Sequence, residues 1–445
     1  MGRRNILIMA LLITSLHLPS ASASENIFGR NLLENAKDYD TDNDKTVIDG
    51  KTASGSGKTA SGCGSDKTAS GCGWDFGTKE QSKKNKEPAY FSVKVADGNY
   101  RVTLTLGSDK YAANTTVRCE SRRLLVENVA TKKGEEKTFV FTVHKRSPEI
   151  SDGSQVKLKS REVGYLNWDE KLTFEFNGKA PAVKSLKIEK DTSAVTFFLC
   201  GDSTTVDQEA EPWSSWGQMI TRWFDEKVCV ANYAESGETT TSFVAEKRFD
   251  KVLDMMKAGD FVAVEFGHND EKDKGDNAGA YKNYSENLRT YVAKIREKGG
   301  NPIILSPTAR RWFNGDKVIN THGDYPEAAK KVAEDLSVPF IDITAMTTEM
   351  FEAVGAEGAK SFLVHYPANT FPNQEKALKD DTHFNPFGAY EVAKCVVMGL
   401  KAVNSPLASH IISDWKDFNP AKPDDKSKFV WYGAPDPDTL KPDGA

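Results

Sequence analysis

The sequence predicts an α/β domain built on a parallel sheet with helices on both faces, preceded by a smaller antiparallel β-sandwich domain. Short segments of alternating apolar and polar residues fill residues 74–190, whereas continuous apolar runs alternate with helical patterns over residues 191–410. The chain has 445 residues, more than one hydrophobic core usually serves, which also favours two domains.

Residues 1–23 have the pattern of an export signal. Two arginines precede the apolar stretch ILIMALLITSL, and the small residues Ala21 to Ala23 form a cleavage motif. This stretch is too short to span a bilayer, and no later apolar run is long enough. We therefore expect a signal peptide, a secreted or periplasmic protein, and no membrane span.

Residues 24–73 are polar and end in three copies of a KTASG repeat. Such small residues bury too little surface to offset their conformational entropy, so we expect a flexible segment. Disulfides are permitted in an exported chain, and Cys63 and Cys72 are candidates to pair with each other. Cys200 and Cys395 lie in apolar patterns and are expected to be buried thiols.

The region from 74 to 190 contains segments of period-two alternation bounded by turn sequences. The predicted strands are YFSVKV, YRVTLTLG, RRLLVENV, KTFVFTVH, SQVKLK, KLTFEF and VKSLKIE. About seven antiparallel strands with one buried face favour a β-sandwich.

The region from 191 to 410 alternates apolar runs with helical patterns. The predicted strands are VTFFLC, VCVANY, FVAVEFG, PIILSP and VPFIDI. Strands that are apolar on both faces and joined by helices form a parallel sheet, and ligands bind where loops leave the carboxyl ends of its strands. Residues 411–445 are rich in proline and are expected to form an irregular tail.

Composition excludes some classes of function. The net charge is −5, which argues against a protein that binds the phosphate backbone of nucleic acids, since such domains usually carry a basic surplus. No Cys-x-x-Cys pair and no His-Glu-x-x-His spacing occurs, so we expect no metal site.

Polar residues follow the ends of three predicted strands. Ser203 follows the first, in the sequence GDST; Gly237 lies in the turn after the second; Asn269 comes directly after the third. Asp380 and His383 stand just before the last long helical pattern. Since parallel strands end at the same edge of a sheet, we expect these residues to meet there.

Each of these residues also has a purely structural explanation. Ser203 can cap a helix, Gly237 and Asn269 can be turn residues, and His383 can be a solvated residue at a helix start. Together they favour nucleophilic catalysis: a serine hydroxyl attacks poorly until an imidazole takes its proton, and a carboxylate orients that imidazole. The spacing leaves open whether Asp380 or Asp381 is that carboxylate.

The motifs resemble those of a known enzyme family. The phrases CGDSTTVDQEAEPWSSWGQM, EFGHNDEKDK and DDTHFNPFGA are similar to the SGNH (GDSL-like) hydrolases, and more closely to the rhamnogalacturonan acetylesterases, carbohydrate esterase family 12. The resemblance covers roughly residues 195–403. It implies a flavodoxin-like strand order, no cofactor, and a galactose-binding-like character for the preceding β domain, which is similar to one often fused to such esterases.

The same resemblance implies residue roles. Ser203 would be the nucleophile, His383 its base and Asp380, rather than Asp381, the orienting acid. The backbone N–H groups of Ser203 and Gly237 and the side-chain amide of Asn269 would form an oxyanion hole, which binds the negative oxygen of the tetrahedral intermediate.

The implied substrate is an acetylated plant cell-wall polysaccharide containing galacturonate. Arg310 and Arg311 could hold its carboxylates and Trp312 could stack on a sugar, although a solvated loop is an equal alternative. Glu265 stands where many relatives carry Gln. Other acylated glycans, lipid or thioester acyl groups, or a carbohydrate-binding protein without catalysis are the alternative functions.

Overall fold

The computed structural model describes residues 71–76, 78 and 88–433. The predicted signal peptide, all but the last residues of the predicted flexible segment, and residues 434–445 of the tail lie outside these residues. No helix in the described part of the chain is long and apolar enough to cross a membrane.

The described residues before Val195 contain eight strands in two antiparallel sheets. They are β1 (Cys72–Asp75), β2 (Ala89–Lys94), β3 (Gly98–Leu106), β4 (Ala113–Cys119), β5 (Arg123–Thr131), β6 (Lys137–Lys145), β7 (Lys171–Ala180) and β8 (Val183–Asp191). One sheet has the order β1-β2-β7-β4-β5 and the other the order β6-β3-β8. Phe91 and Phe174 from the first sheet and Val102 and Leu186 from the second belong to one apolar core. The prediction of antiparallel structure here is confirmed.

Three details of this region differ from the prediction. Strand β1 was not predicted, and its first residues, Cys72 and Gly73, fall in the segment that was expected to be flexible. The segment SQVKLK is not a strand: it packs against the second domain, where the N–H of Lys157 donates to the carbonyl of Glu246, 2.9 Å away. Strand β4 was not predicted, because its buried residues include the polar Thr115, Thr116 and Arg118, so that burial does not follow an apolar alternation in the sequence.

The second domain alternates strands and helices. Its strands are β9 (Val195–Gly201), β10 (Val228–Asn232), β11 (Phe261–Glu265), β12 (Asn301–Leu305), β13 (Phe313–Asn314), β14 (Lys317–Val318), β15 (Phe340–Ile341), β16 (Leu363–Tyr366) and β17 (Leu378–Phe384). Its helices are α1 (Trp216–Met219), α2 (Thr240–Ala245), α3 (Arg248–Met255), α4 (Ser285–Glu297), α5 (Tyr325–Asp335), α6 (Ile343–Gly358) and α7 (Pro386–Ala402).

A parallel sheet of five strands forms the centre of this domain, in the order β10-β9-β11-β12-β15. Within the domain this is the order 2-1-3-4-5, which is flavodoxin-like. Phe197 and Leu199 of β9 face a core shared with α1, α6 and α7, whereas Phe198 and Cys200 face a core shared with α2 to α5. Both faces of the strand are therefore buried, which explains its continuous apolar sequence.

The described cysteines agree with the expectation of buried thiols. Cys200 and Cys395 are free and buried, as are Cys119 and Cys229. Cys72 is disulfide-bonded. The predicted partner of Cys72, Cys63, lies outside the described residues.

The described part of the tail packs over the boundary between the domains. The indole N–H of Trp431 donates to Glu211 Oε1 at 2.8 Å, and the guanidinium of Arg118 lies 3.7 Å from the centre of the Trp431 ring. Arg118 also donates to the carbonyl of Tyr432 at 2.5 Å. The tail therefore contacts both the first sheet and the second domain.

Helix α7 begins three residues after His383, and its start is closely packed. Asn385 caps the helix, since its side chain accepts the N–H of Gly388 at 3.0 Å, and the N–H of Asn385 donates to the carbonyl of Phe362 at 3.0 Å. A Cβ atom added at Gly388 would lie 1.9 Å from that carbonyl oxygen. This position therefore accepts only glycine without movement of the backbone.

We predict that Gly388→Ala lowers the free energy of unfolding by about 3 kcal/mol, because the added methyl group must displace backbone. Urea unfolding measures this value. Ala402→Ser, at the exposed end of the same helix, serves as the control and should stay within about 0.5 kcal/mol of the wild type. Equal stability of the two variants would contradict the packing at Gly388.

Candidate active site

Ser203 lies on a tight turn beyond the end of β9. The N–H groups of Thr205 and Val206 both donate to the carbonyl of Asp202, at 3.1 and 3.0 Å, and these bonds form the turn. Ser203 does not cap a helix, since the next helix, α1, has Ser215 at its N-cap. Its hydroxyl instead lies 2.9 Å from Nε2 of His383.

The carboxylate of Asp380 lies behind the imidazole of His383. Asp380 Oδ2 is 2.8 Å from His383 Nδ1, and Oδ1 accepts the backbone N–H groups of Thr382 and His383, each at 3.0 Å. Asp381 lies elsewhere: its Oδ1 is 2.6 Å from Nε of Arg311 and 2.7 Å from Nε2 of His365. Of the two candidate acids, the structure brings Asp380 to the histidine.

The surroundings of Asp380 favour its ionised form. Burial alone would raise its pKa, but the hydrogen bond and charge of His383, together with the two backbone N–H donors, hold the pKa well below the ordinary aspartate value. An ionised carboxylate can only accept hydrogen bonds, so Nδ1 of a neutral His383 must carry the ring proton. Nε2 is then able to accept the proton of Ser203.

Gly237 lies in the turn that follows β10, and its φ of +80° falls in the left-handed region that glycine adopts without strain. The side chain of Gln208 connects this turn to the nucleophile. Its amide nitrogen lies 3.0 Å from the carbonyl oxygen of Ser203 and 3.5 Å from the hydroxyl of Ser236. The backbone N–H groups of Ser203 and Gly237, the two predicted oxyanion-hole donors, therefore belong to neighbouring segments.

Asn269 lies just beyond β11 and contacts the same turn. Its side-chain nitrogen donates to the carbonyl of Glu238 at 3.0 Å, while its side-chain oxygen accepts from Lys272 at 3.3 Å. The second hydrogen of this amide group is not used by either contact. The structure thus brings all three predicted oxyanion-hole residues to one edge of the sheet.

The three residues predicted to bind the substrate are only partly available to it. Arg310 donates to Glu271 at 2.5 Å and Arg311 to Asp381 at 2.6 Å, so both guanidinium charges already have carboxylate partners. Trp312 is 60% exposed. A sugar could therefore stack on Trp312, whereas a substrate carboxylate would have to compete for either arginine.

Three residues with direct contacts to the site were not predicted. One is Ser215, whose hydroxyl donates to the Ser203 carbonyl at 2.7 Å. Trp213 is buried, and its indole N–H donates to Oδ2 of Asp380 at 3.3 Å. Gln208 binds the Ser203 carbonyl, as described above. All three lie in the stretch VDQEAEPWSS between the nucleophile and α1, and its high content of polar and aromatic residues was the available signal. Among the described residues, no group of three or more His, Cys, Asp or Glu side chains could hold a metal ion.

A buried pair of acids lies beside the nucleophile. The hydroxyl of Thr204 is 2.9 Å from Glu265 Oε1 and 3.1 Å from Asp202 Oδ1, and neither acid is exposed. The Thr204 hydroxyl has one proton and cannot donate it to two ionised carboxylates at once, so this geometry favours a proton shared by the two acids. Burial, followed by the charge of Glu265, raises the pKa of Asp202 well above its ordinary value, and burial also raises the pKa of Glu265.

We predict that Glu265→Gln gains stability relative to the wild type as the pH rises above about 4.3, the pKa of glutamate in an unfolded chain. A raised pKa in the folded state means that the folded protein binds the proton more tightly, so the wild type loses relative stability as that proton dissociates. Urea unfolding at pH 5 and pH 8 measures the change. The exposed Glu357→Gln is the control and should show no such gain. A difference that is constant with pH would contradict the shared proton.

Comparison with known proteins agrees with this geometry. A family model, the GDSL-like Lipase/Acylhydrolase family, matches residues 199–389. The chain is 37% identical over 222 residues to the rhamnogalacturonan acetylesterase RhgT of Bacillus subtilis, covering 49% of this chain and 95% of that protein. It is 30% identical over 254 residues to a rhamnogalacturonan acetylesterase of Emericella nidulans, covering 52% and 96%.

A longer alignment links the chain to an uncharacterized esterase, YxiM, of Bacillus subtilis, with 23% identity over 332 residues, 73% of this chain and 76% of that protein. All three relatives are named as esterases, and the two rhamnogalacturonan acetylesterases are matched over nearly their whole length. The chain therefore belongs to the GDSL-like lipase/acylhydrolase family, in the branch of the rhamnogalacturonan acetylesterases, and is a carboxylic ester hydrolase.

Proposed function

We propose that this esterase removes O-acetyl groups from a pectic polysaccharide, rhamnogalacturonan, with Ser203 as its nucleophile. The observation that carries the chemistry is the 2.9 Å contact between the Ser203 hydroxyl and His383, with Asp380 behind the ring. The substrate is inferred from the relatives named rhamnogalacturonan acetylesterase, which are 30–37% identical to this chain.

In the proposed mechanism, the Ser203 oxygen attacks the acetyl carbonyl carbon while His383 Nε2 takes the hydroxyl proton. Asp380 stabilises the positive charge that the imidazole then carries. The negative oxygen of the tetrahedral intermediate would be bound by the N–H groups of Ser203 and Gly237 and the amide of Asn269. His383 returns the proton to the departing sugar oxygen, and water then releases acetate from acetyl-Ser203 by the same steps.

Export suits this substrate, because a plant cell-wall polysaccharide lies outside the cell that degrades it. The proposed signal for export is residues 1–23. The galactose-binding-like character of the β domain stays a prediction.

Acetate release from acetylated rhamnogalacturonan, acetylated xylan, a small aryl acetate and a long-chain aryl ester tests the proposal. We predict the highest kcat/KM on acetylated rhamnogalacturonan. Ser203→Ala should lower kcat by about 10⁴-fold or more on every substrate, because no other group replaces the nucleophile. Its thermal unfolding should match that of the wild type.

Other outcomes favour the alternative functions. Preference for the long-chain ester would indicate a lipid acylhydrolase, and equal activity on xylan a less selective glycan esterase. Polysaccharide binding without acetate release would indicate a carbohydrate-binding protein.

We also predict that Asp380→Asn lowers kcat by about 10⁴-fold, since an amide no longer enforces the tautomer in which Nε2 accepts a proton. Asp381→Asn is the matched control and should keep most of the activity, because Asp381 faces Arg311 and His365. Steady-state kinetics on the aryl acetate measures both. Similar losses in the two variants would contradict the role of Asp380.

A further inference from the structure

The hairpin turn between β4 and β5 is buried, although hairpin turns usually lie at the surface. Its residues Glu120, Ser121, Arg122 and Arg123 are each at most 7% exposed. Glu120 and Arg122 have φ angles of 52° and 62°, which non-glycine residues rarely adopt. This turn of the antiparallel domain is inserted against the second domain, and its polar groups must find partners there.

Arg122 finds its partners in the segment that follows the nucleophile. Its NH2 group donates to the carbonyl of Gln208 at 2.5 Å and to the carbonyl of Trp213 at 2.8 Å. Its Nε donates to the Gln208 carbonyl at 3.1 Å. A planar guanidinium can span two carbonyl groups in this way, whereas an ammonium group is a single point of contact.

Both residues that Arg122 holds have side chains that contact the catalytic groups, as does Ser215, whose hydroxyl donates to the Ser203 carbonyl at 2.7 Å. Gln208 donates to the Ser203 carbonyl at 3.0 Å, and Trp213 donates to the Asp380 carboxylate at 3.3 Å. One guanidinium thus fixes the main chain at both ends of the segment that supports the nucleophile and the acid.

Neighbouring residues of the same turn hold the segment at other points. Arg123 Nε donates to Asp207 Oδ2 at 2.7 Å, and the Ser121 hydroxyl contacts Glu209. Gln218 of α1 donates to the Ser121 carbonyl at 2.7 Å. The contact between the turn and the segment is therefore continuous.

We propose that Arg122 is a positioning residue of the esterase. By fixing Gln208 and Trp213 it sets the positions of the Ser203 carbonyl and the Asp380 carboxylate, so the antiparallel domain completes the active site. This inference rests on the proposed function of Ser203, Asp380 and His383.

The test is Arg122→Gln in the full-length chain, with folding checked by circular dichroism and thermal unfolding. The small aryl acetate reports kcat and KM, and a fluorophosphonate reports the rate at which Ser203 is labelled. We expect kcat and the labelling rate to fall together by about 10- to 100-fold, with KM little changed, because the reacting groups are misplaced while the binding surface remains.

Thr142→Val is the matched control. The Thr142 hydroxyl donates to the carbonyl of Val228 at 2.9 Å and so joins the same two domains at the opposite end of β10. This variant should be less stable but should keep its kcat. If Arg122→Gln behaves in the same way, with lower stability and full kcat, the positioning role is overturned.

A double-mutant cycle with Trp213→Phe provides a second measurement. If Arg122 acts in part through Trp213, the double variant should lose less activity than the product of the two single losses, and strictly multiplicative losses would count against the inference. Arg122→Lys keeps the positive charge near Glu211 and carries the test if Arg122→Gln does not fold. Arg122→Lys should also lower kcat, and a kcat equal to that of the wild type would overturn the inference.

The proposed function and this inference fail in different ways. A wild type that hydrolyses the aryl acetate but not acetylated rhamnogalacturonan refutes the substrate proposal and leaves the Arg122 comparison valid. A wild type that neither hydrolyses the aryl acetate nor reacts with the fluorophosphonate refutes both.

Discussion

The contact between Ser203 and His383 joins two residues that are 180 positions apart in the chain, and the esterase chemistry depends on it. A bond of 2.9 Å tolerates little error in the placement of either end. Strand β9, buried on both faces, fixes the turn that carries Ser203. The other end is fixed by β17 and by the capped start of α7. The cores on the two faces of the parallel sheet therefore keep the Ser203 hydroxyl and the His383 ring within proton-transfer distance.

Much of this arrangement could be predicted from the sequence, for physical reasons. Continuous apolar runs such as that of β9 indicate strands covered by helices on both faces, and the polar residues at their ends indicate the reactive edge. Strand β4 gave no such signal because polar residues occupy several of its buried positions. The partners of Arg310 and Arg311 were equally hidden, since they come from distant parts of the chain and only the folded structure brings them together.

The choice between Asp380 and Asp381 shows why a local pattern is insufficient. In a regular strand, alternation would place Asp381 on the same face as His383, and Asp380 on the other face. Strand β17 is irregular here, because its pairing with β16 shifts register between Leu363 and His365. The carboxylate of Asp380 accepts the N–H groups of Thr382 and His383, and this local turn brings it to the imidazole. A side chain that hydrogen-bonds its own backbone thus overrides the strand period.

Buried charges meet at the boundary between the domains: Arg123 pairs with Asp207, and Arg118 lies near Glu211. Such groups contribute little net stability but tolerate few alternative arrangements, since an unpaired buried charge is costly. The ring of Trp431, which lies against Arg118 and donates to Glu211, belongs to this boundary although it comes from the tail. Because ribosomes build the chain from its amino terminus, both domains leave the ribosome before Trp431 does. The contacts of Trp431 with Arg118 and Glu211 therefore form late in biosynthesis.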